Sequence, residues 1–207
     1  MIRITILSFA LTLTNLVSAQ QHIGGIKLLP GVTNYWNSPD ELSGSVVYDP
    51  RFTFNFGAQY IYEVGESPYG LETGLYWFDR GTVNKGITST GGDIALHSYS
   101  LGIPVLFRYD LDHLYFSAGP SIEVKMRNKY VYKETGTVTK IGLSSDFANN
   151  IRYGIDLNVG GKLNITEKIG LFAELSFHYS HMQYSEFYKK FRGYTTYELG
   201  IGANYRF

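Results

Sequence analysis

Three groups of residues in this 207-residue chain have types and spacings that chemistry can use. The first is His178-Tyr179-Ser180, with Glu186 a few residues on. On a strand, residues two apart share a face, as a general base and a nucleophile must. With five histidines and many serines, a chance His-x-Ser is unsurprising. The second group is basic and aromatic: Lys125, Arg127, Lys129, Tyr130, Tyr132, Lys133 and Lys140. Such side chains suit phosphates or sugars, and an ordinary solvated loop has the same composition. The third is a set of charges of both signs: Lys27, Glu72, Arg108, Glu123, Lys125, Arg152, Asp156, Lys162, Glu174, Glu198 and Arg206. His178 and His181 have no matching cluster of carboxylates nearby, so neither a metal nor a cofactor is expected.

What surrounds these groups narrows their use. Arg3, the apolar run Ile4 to Val17 and the small residues Val17-Ser18-Ala19 read as a signal peptide, 1–19, cleaved before Gln20. Residues 20–207 then form one domain. No later apolar stretch reaches the roughly 20 residues of a membrane-spanning helix. The absence of cysteine removes disulfides, thiolate metal sites and a lipoprotein anchor together. Eighteen basic residues against 18 acidic ones offer no electrostatic footprint for nucleic acid.

The third group falls on one side of a pattern that recurs along the chain. Tyr197, Leu199, Ile201, Ala203, Tyr205 and Phe207 alternate with Thr196, Glu198, Gly200, Gly202, Asn204 and Arg206. Side chains alternate across a strand, so this is one two-faced strand. The same alternation runs through Ile169–Ser180, Ile151–Gly160, Leu114–Lys125, Ser98–Arg108 and Phe52–Tyr60, and more weakly through Leu71–Trp77 and Ile23–Val32. That makes eight strands, each near the 9–11 residues a tilted membrane strand needs. The connections alternate in length: long at 33–50, 80–96, 127–150 and 181–194, and short at 63–69, 110–113 and 164–168. An up-and-down barrel with one rim outside and the other in the periplasm sorts its loops this way. The expected fold is therefore all-β, an eight-stranded antiparallel up-and-down transmembrane β-barrel.

Periodicity alone is also compatible with a soluble barrel whose apolar face points inward. Three features favour the inverted arrangement. The polar face combines glycine with charges of both signs, as a cramped interior requires. Tyr60, Tyr62, Tyr76, Trp77, Tyr109, Tyr179, Tyr197 and Tyr205 gather near strand ends, where aromatic girdles form. Phe207 ends the chain inside a strand, where a soluble protein usually frays. Eight strands leave an interior just filled by side chains, so an open pore is not expected.

Tyr197 to Phe207 resembles the C-terminal signal read by the outer-membrane barrel assembly machinery, with Tyr197, Leu199, Ile201, Tyr205 and Phe207 as its apolar positions. Ser100-Leu101-Gly102-Ile103-Pro104-Val105-Leu106-Phe107-Arg108-Tyr109 resembles the Ile-Pro-Leu-Leu-x-Lys-Tyr strand of the PorT-like outer-membrane β-barrel family, with Arg108 in place of the usual lysine. Gly25-Ile26-Lys27, Leu71-Glu72 and Ser117-Ala118-Gly119-Pro120 fit the same pattern. The resemblance implies an integral outer-membrane barrel and identifies no activity. His178, Ser180 and Glu186 are similar to the His-x-Ser plus acid arrangement of lipid A deacylase barrels, although they fall on the polar face.

The leading expectation is a non-enzymatic barrel, resembling small OmpA- and OmpX-like barrels, in the bacterial outer membrane. Its polar interior is filled, and its long loops meet outer-membrane lipid, lipopolysaccharide or a partner that the residues do not identify. The alternatives are a membrane-embedded lipid A hydrolase and a soluble periplasmic barrel binding a small apolar ligand.

Overall fold

The computed structural model describes residues 21–37, 48–65, 67–85, 92–143, 150–185 and 190–207; the expected signal peptide and Glu186 lie outside them. The strands are β1 (Gln21–Asn37), β2 (Tyr48–Asp49), β3 (Arg51–Glu63), β4 (Tyr69–Asn84), β5 (Ile94–Leu111), β6 (Leu114–Tyr132), β7 (Val138–Ile141), β8 (Ile151–Asn164), β9 (Ile169–Ser185) and β10 (Lys190–Arg206). Eight of them close a ring of antiparallel neighbours, β1-β3-β4-β5-β6-β8-β9-β10 and back to β1. The short β2 continues the β3 edge beyond Pro50, and β7 adds to the outer end of β6.

The ring has the polarity of a membrane barrel. Ile26, Phe52 and Leu175 on the outer surface are 65%, 66% and 63% exposed, whereas Glu72, Arg80 and Glu123 inside are 0% exposed. In water this would leave a continuous apolar coat unburied; in a bilayer the coat is the solvated surface. Tyr60, Tyr69, Tyr109 and Tyr205 lie toward the end holding the short turns. Trp77, Tyr99, Tyr153 and Tyr179 lie toward the other. Tyr99 and Tyr109 are ten positions apart on β5. That is about 34 Å along the strand at about 3.4 Å per residue, and about 25 Å along the membrane normal at a tilt of about 40°. An outer-membrane apolar band has that height.

Interior glycines have a specific use here. Gly57, Gly160 and Gly202 are the direct cross-strand partners of Tyr76, Tyr115 and Phe172. A Cβ on each would meet the opposing ring at 2.4, 2.4 and 2.3 Å. The missing side chain lets each aromatic lie flat across the next strand, so glycine fills the barrel by making room for its neighbour. Tyr76 is thus 3% exposed inside the barrel and not part of the interfacial girdle where the strand-end pattern placed it.

Several strands run further toward the long-loop rim than alternation predicts. β4 reaches Asn84, so Arg80 belongs to the barrel wall and not to a loop. β9 and β10 extend to Ser185 and from Lys190. The stretch expected as a loop from Arg127 is strand up to Tyr132, where it turns into the β6–β7 hairpin. A register shift explains why the pattern breaks there. Tyr99 pairs with Arg127 and Ser100 with Lys125, so Met126 is an extra residue. A bulge of this kind reverses the phase of all that follows. Asn128 consequently faces inward, accepting a 2.6 Å hydrogen bond from Ser98 Oγ, while Arg127 and Lys129 face out.

At the opposite rim the β5–β6 turn is two residues, with Asp112 at φ 28°, a left-handed conformation that Asp tolerates.

Candidate functional site

The interior charges gather into two clusters. Toward the short-turn end, Lys27 Nζ lies 2.9 Å from both Glu72 Oε1 and Glu174 Oε1. Arg108 pairs with Glu72 at 3.0 Å and with Asp110 at 2.8 Å, and Lys162 reaches Asp110 at 2.5 Å. Tyr115 and Ser176 donate to Glu174 at 2.6 and 2.8 Å. The Arg108 guanidinium also lies 3.7 Å from the centre of the Tyr115 ring. Three cations therefore face three carboxylates.

Toward the outer end, Glu123 is the hub. It faces Arg80 at 3.2 Å, Arg152 at 3.7 Å and His178 Nε2 at 2.8 Å, and accepts from Ser100 Oγ at 2.6 Å. His178 Nδ1 contacts Asp156 at 2.6 Å, and Arg80 lies 3.9 Å from Glu198. Asn55 and Ser98 close the cluster through hydrogen bonds with Glu198 and Arg152. Two guanidiniums and an imidazole thus face three carboxylates. Leu29, Tyr76 and Phe78 form an apolar layer between the clusters, and the space left beside it is about 20 Å³, room for about one water.

Seven residues of the expected interior network, Lys27, Glu72, Arg108, Glu123, Arg152, Glu174 and Glu198, are buried where alternation placed them. Asp156 and Lys162 join them with side chains 14% and 19% exposed. Two depart from expectation. Lys125, the last residue before the bulge and the direct partner of the buried Ser100, keeps the inward phase but is only half-buried, near the Arg152 charge and without a carboxylate partner among the described residues. Arg206 lies at the rim, 37% exposed and 3.5 Å from Glu63. Alternation missed Arg80 and the pairing of His178; both keep the inward phase of their strands, and that phase was the available signal.

Ser180 is fully buried, and its Oγ has no hydrogen-bond partner among the described residues. His178 is held by Asp156 and Glu123, stacks on Phe78 with ring centres 5.4 Å apart, and faces away from lipid. The contact between base and nucleophile that a hydrolase needs is not made by this pair.

The basic and aromatic group divides. Tyr130 and Tyr132 share the inward phase of Asn128, whereas Arg127 and Lys129 face outward above the Tyr99 ring, with Lys129 Nζ 5.3 Å from its centre. Lys133 begins the β6–β7 turn, exposed. Lys140 on β7 is the direct cross-strand partner of Lys129, and His97 on β5 is its partner on the other side. Arg51 holds Asp79 through both guanidinium nitrogens at 2.6 and 3.1 Å, with His97 3.3 Å from the same carboxylate. Just beyond β4, Asp49, which accepts its hydrogen bond, and the nearby charge of Asp93 hold the Lys85 ammonium above the ordinary lysine range. The apolar positions of the C-terminal strand, Tyr197, Leu199, Ile201, Tyr205 and Phe207, all lie on its outer face.

A closed strand ring with a lipid-compatible coat, two aromatic belts and an ion-paired filling defines an integral outer-membrane β-barrel. The model of the outer membrane protein beta-barrel domain family matches residues 22–201, and the chain belongs to that family. Among solved structures, the outer membrane protein OprG from Pseudomonas aeruginosa is similar at 12% identity over 91% of this chain and 96% of that one, with a TM-score of 0.53. Ail of Yersinia pestis is 16% identical over 90% and 99%, with a TM-score of 0.42. Neisserial surface protein A is 14% identical over 90% and 97%, with a TM-score of 0.45. No curated protein matches the sequence.

Proposed function

We propose that this barrel is a non-enzymatic scaffold of the outer membrane, closed to solutes, that presents its outer rim to lipopolysaccharide, surface material or another envelope component. The observation carrying this reading is the contrast between the two ends of the strands. The interior is filled by ion-paired clusters, while β4, β5, β6 and β7 continue past the aromatic belt and display basic side chains. The short motifs Ser100–Tyr109 and Ser117–Pro120 support placing the chain in the PorT-like branch of its family, without assigning it a role in secretion. The outward apolar positions of β10 support recognition by the assembly machinery during biogenesis. Export would remove residues 1–19, leaving Gln20 as the mature N-terminus.

Two measurements test the scaffold reading. The protein extracted from outer-membrane fractions should change gel mobility on boiling, because folded barrels resist detergent. Reconstituted in planar bilayers, it should show no steady ion conductance. A soluble periplasmic protein without the mobility shift, or an open conductance of fixed size, would overturn it.

A further inference from the structure

We propose that the outer face of β5, β6 and β7 is a binding site for the phosphorylated headgroup of lipid A, with the acyl chains lying in the apolar groove directly below. This rests on the scaffold reading and names the ligand of its rim.

The first observation is a row of like charges. Lys129 and Lys140 are directly opposed across the β6–β7 ladder and therefore share a face, with Arg127 on the same face one pleat toward the membrane. Like charges directly opposite are destabilising in a sheet unless something neutralises them. Among the described residues no carboxylate does so. Asp79, the cross-strand partner of Tyr99 on β4, is already committed to Arg51 and His97. This contrasts with the interior, where the charges of both clusters face partners.

The second observation is position. The row begins just above the Trp77–Tyr99 pair, whose stacked rings are 5.8 Å apart, and Tyr99 stacks in turn on His97 at 5.9 Å. Trp and Tyr settle at the boundary between acyl chains and headgroups, so Arg127, Lys129 and Lys140 stand at headgroup height in the outer leaflet. Guanidinium and ammonium groups there match phosphate oxygens, and the flat aromatic run beside them suits a sugar ring.

The third observation lies below. Leu75, Leu101, Ile103, Val105, Ile122 and Val124 line a groove of about 310 Å³ on the outer surface of β4, β5 and β6. It continues down the same strands that carry the row. Cations over an apolar groove have the shape of an anionic amphiphile, which a soluble phosphate would fill only at one end.

The test places the mature chain in phosphatidylcholine nanodiscs containing a minor fraction of bisphosphorylated lipid A and counts retained lipid by native mass spectrometry. Wild type should retain bisphosphorylated over dephosphorylated lipid A by about tenfold or more, and R127Q/K129Q/K140Q should lose that preference. Ile103→Trp, which fills the groove, should lower retention severalfold while keeping the phosphate preference. Absence of preference in wild type, its persistence in the triple variant, or displacement of lipid A by millimolar inorganic phosphate would overturn the lipid site. Unchanged retention in Ile103→Trp would overturn the part played by the groove. A chain that fails to insert or to shift mobility on boiling would overturn the scaffold reading instead.

Discussion

Replacing Lys27 with methionine tests whether the interior is dry and held by ion pairs. Lys27 is 3% exposed and bridges Glu72 and Glu174, both at 2.9 Å. Its ammonium also lies 5.7 and 5.6 Å from the centres of the Tyr76 and Phe172 rings. Removing one partner of a buried pair costs about 3–5 kcal/mol, because the remaining charge stays buried without compensation. Here the carboxylates keep other contacts: Glu72 retains Arg108 at 3.0 Å, and Glu174 retains the Tyr115 and Ser176 hydroxyls. The loss should therefore fall at the lower end, about 3 kcal/mol, or roughly 150-fold in the folding equilibrium. The double variant K27M/E174Q removes the orphaned charge as well and should return to within about 1–2 kcal/mol of wild type. Urea titration of the barrel folded into lipid vesicles, read as the fraction with folded mobility on an unboiled gel, measures both. A Lys27→Met barrel within about 1 kcal/mol of wild type would refute the reasoning, since only a hydrated pair is worth so little.

Three further outcomes follow from the same geometry. Leu157→Arg places a guanidinium on the lipid face, where Leu157 is 48% exposed, and should cost about 2–4 kcal/mol in bilayers by the same titration; a neutral result would mean that this face meets water. Gly160→Val puts a Cβ within 2.4 Å of the Tyr115 ring and should lower stability by about 1–3 kcal/mol, whereas the paired variant Gly160→Val with Tyr115→Ala should recover part of it. Ser180→Ala should leave the acylation pattern of lipid A unchanged by mass spectrometry, because Ser180 is enclosed in the barrel; any change in acyl number would reinstate a hydrolase.

Much of this protein was determined by local pattern. Alternation assigned Lys27, Glu72, Glu123, Glu174 and Glu198 to one face and Phe52, Ile103 and Leu175 to the other, because a strand has a fixed period of two. The short turns at 64–68, 112–113 and 165–168 were legible because tight connections tolerate few residues and mark themselves by composition. What local pattern could not carry was the outcome of pairing. Lys27 meets Glu174 from 147 positions away, and Arg80 meets Thr196 across 116. Which charge neutralises which depends on closing the ring in one register, a relation between strands and not within them. The extra residue Met126 likewise turned a presumed loop into outward-facing strand, since a bulge is defined only against its partner. The sequence by itself determined a two-faced, eight-stranded chain with balanced charge. Tertiary closure decided that two ion-paired clusters plug the barrel, whereas Arg127, Lys129 and Lys140 stand together outside it through the bulged register of the β5–β6 pair and the β6–β7 hairpin, which only the pairing of those strands defines.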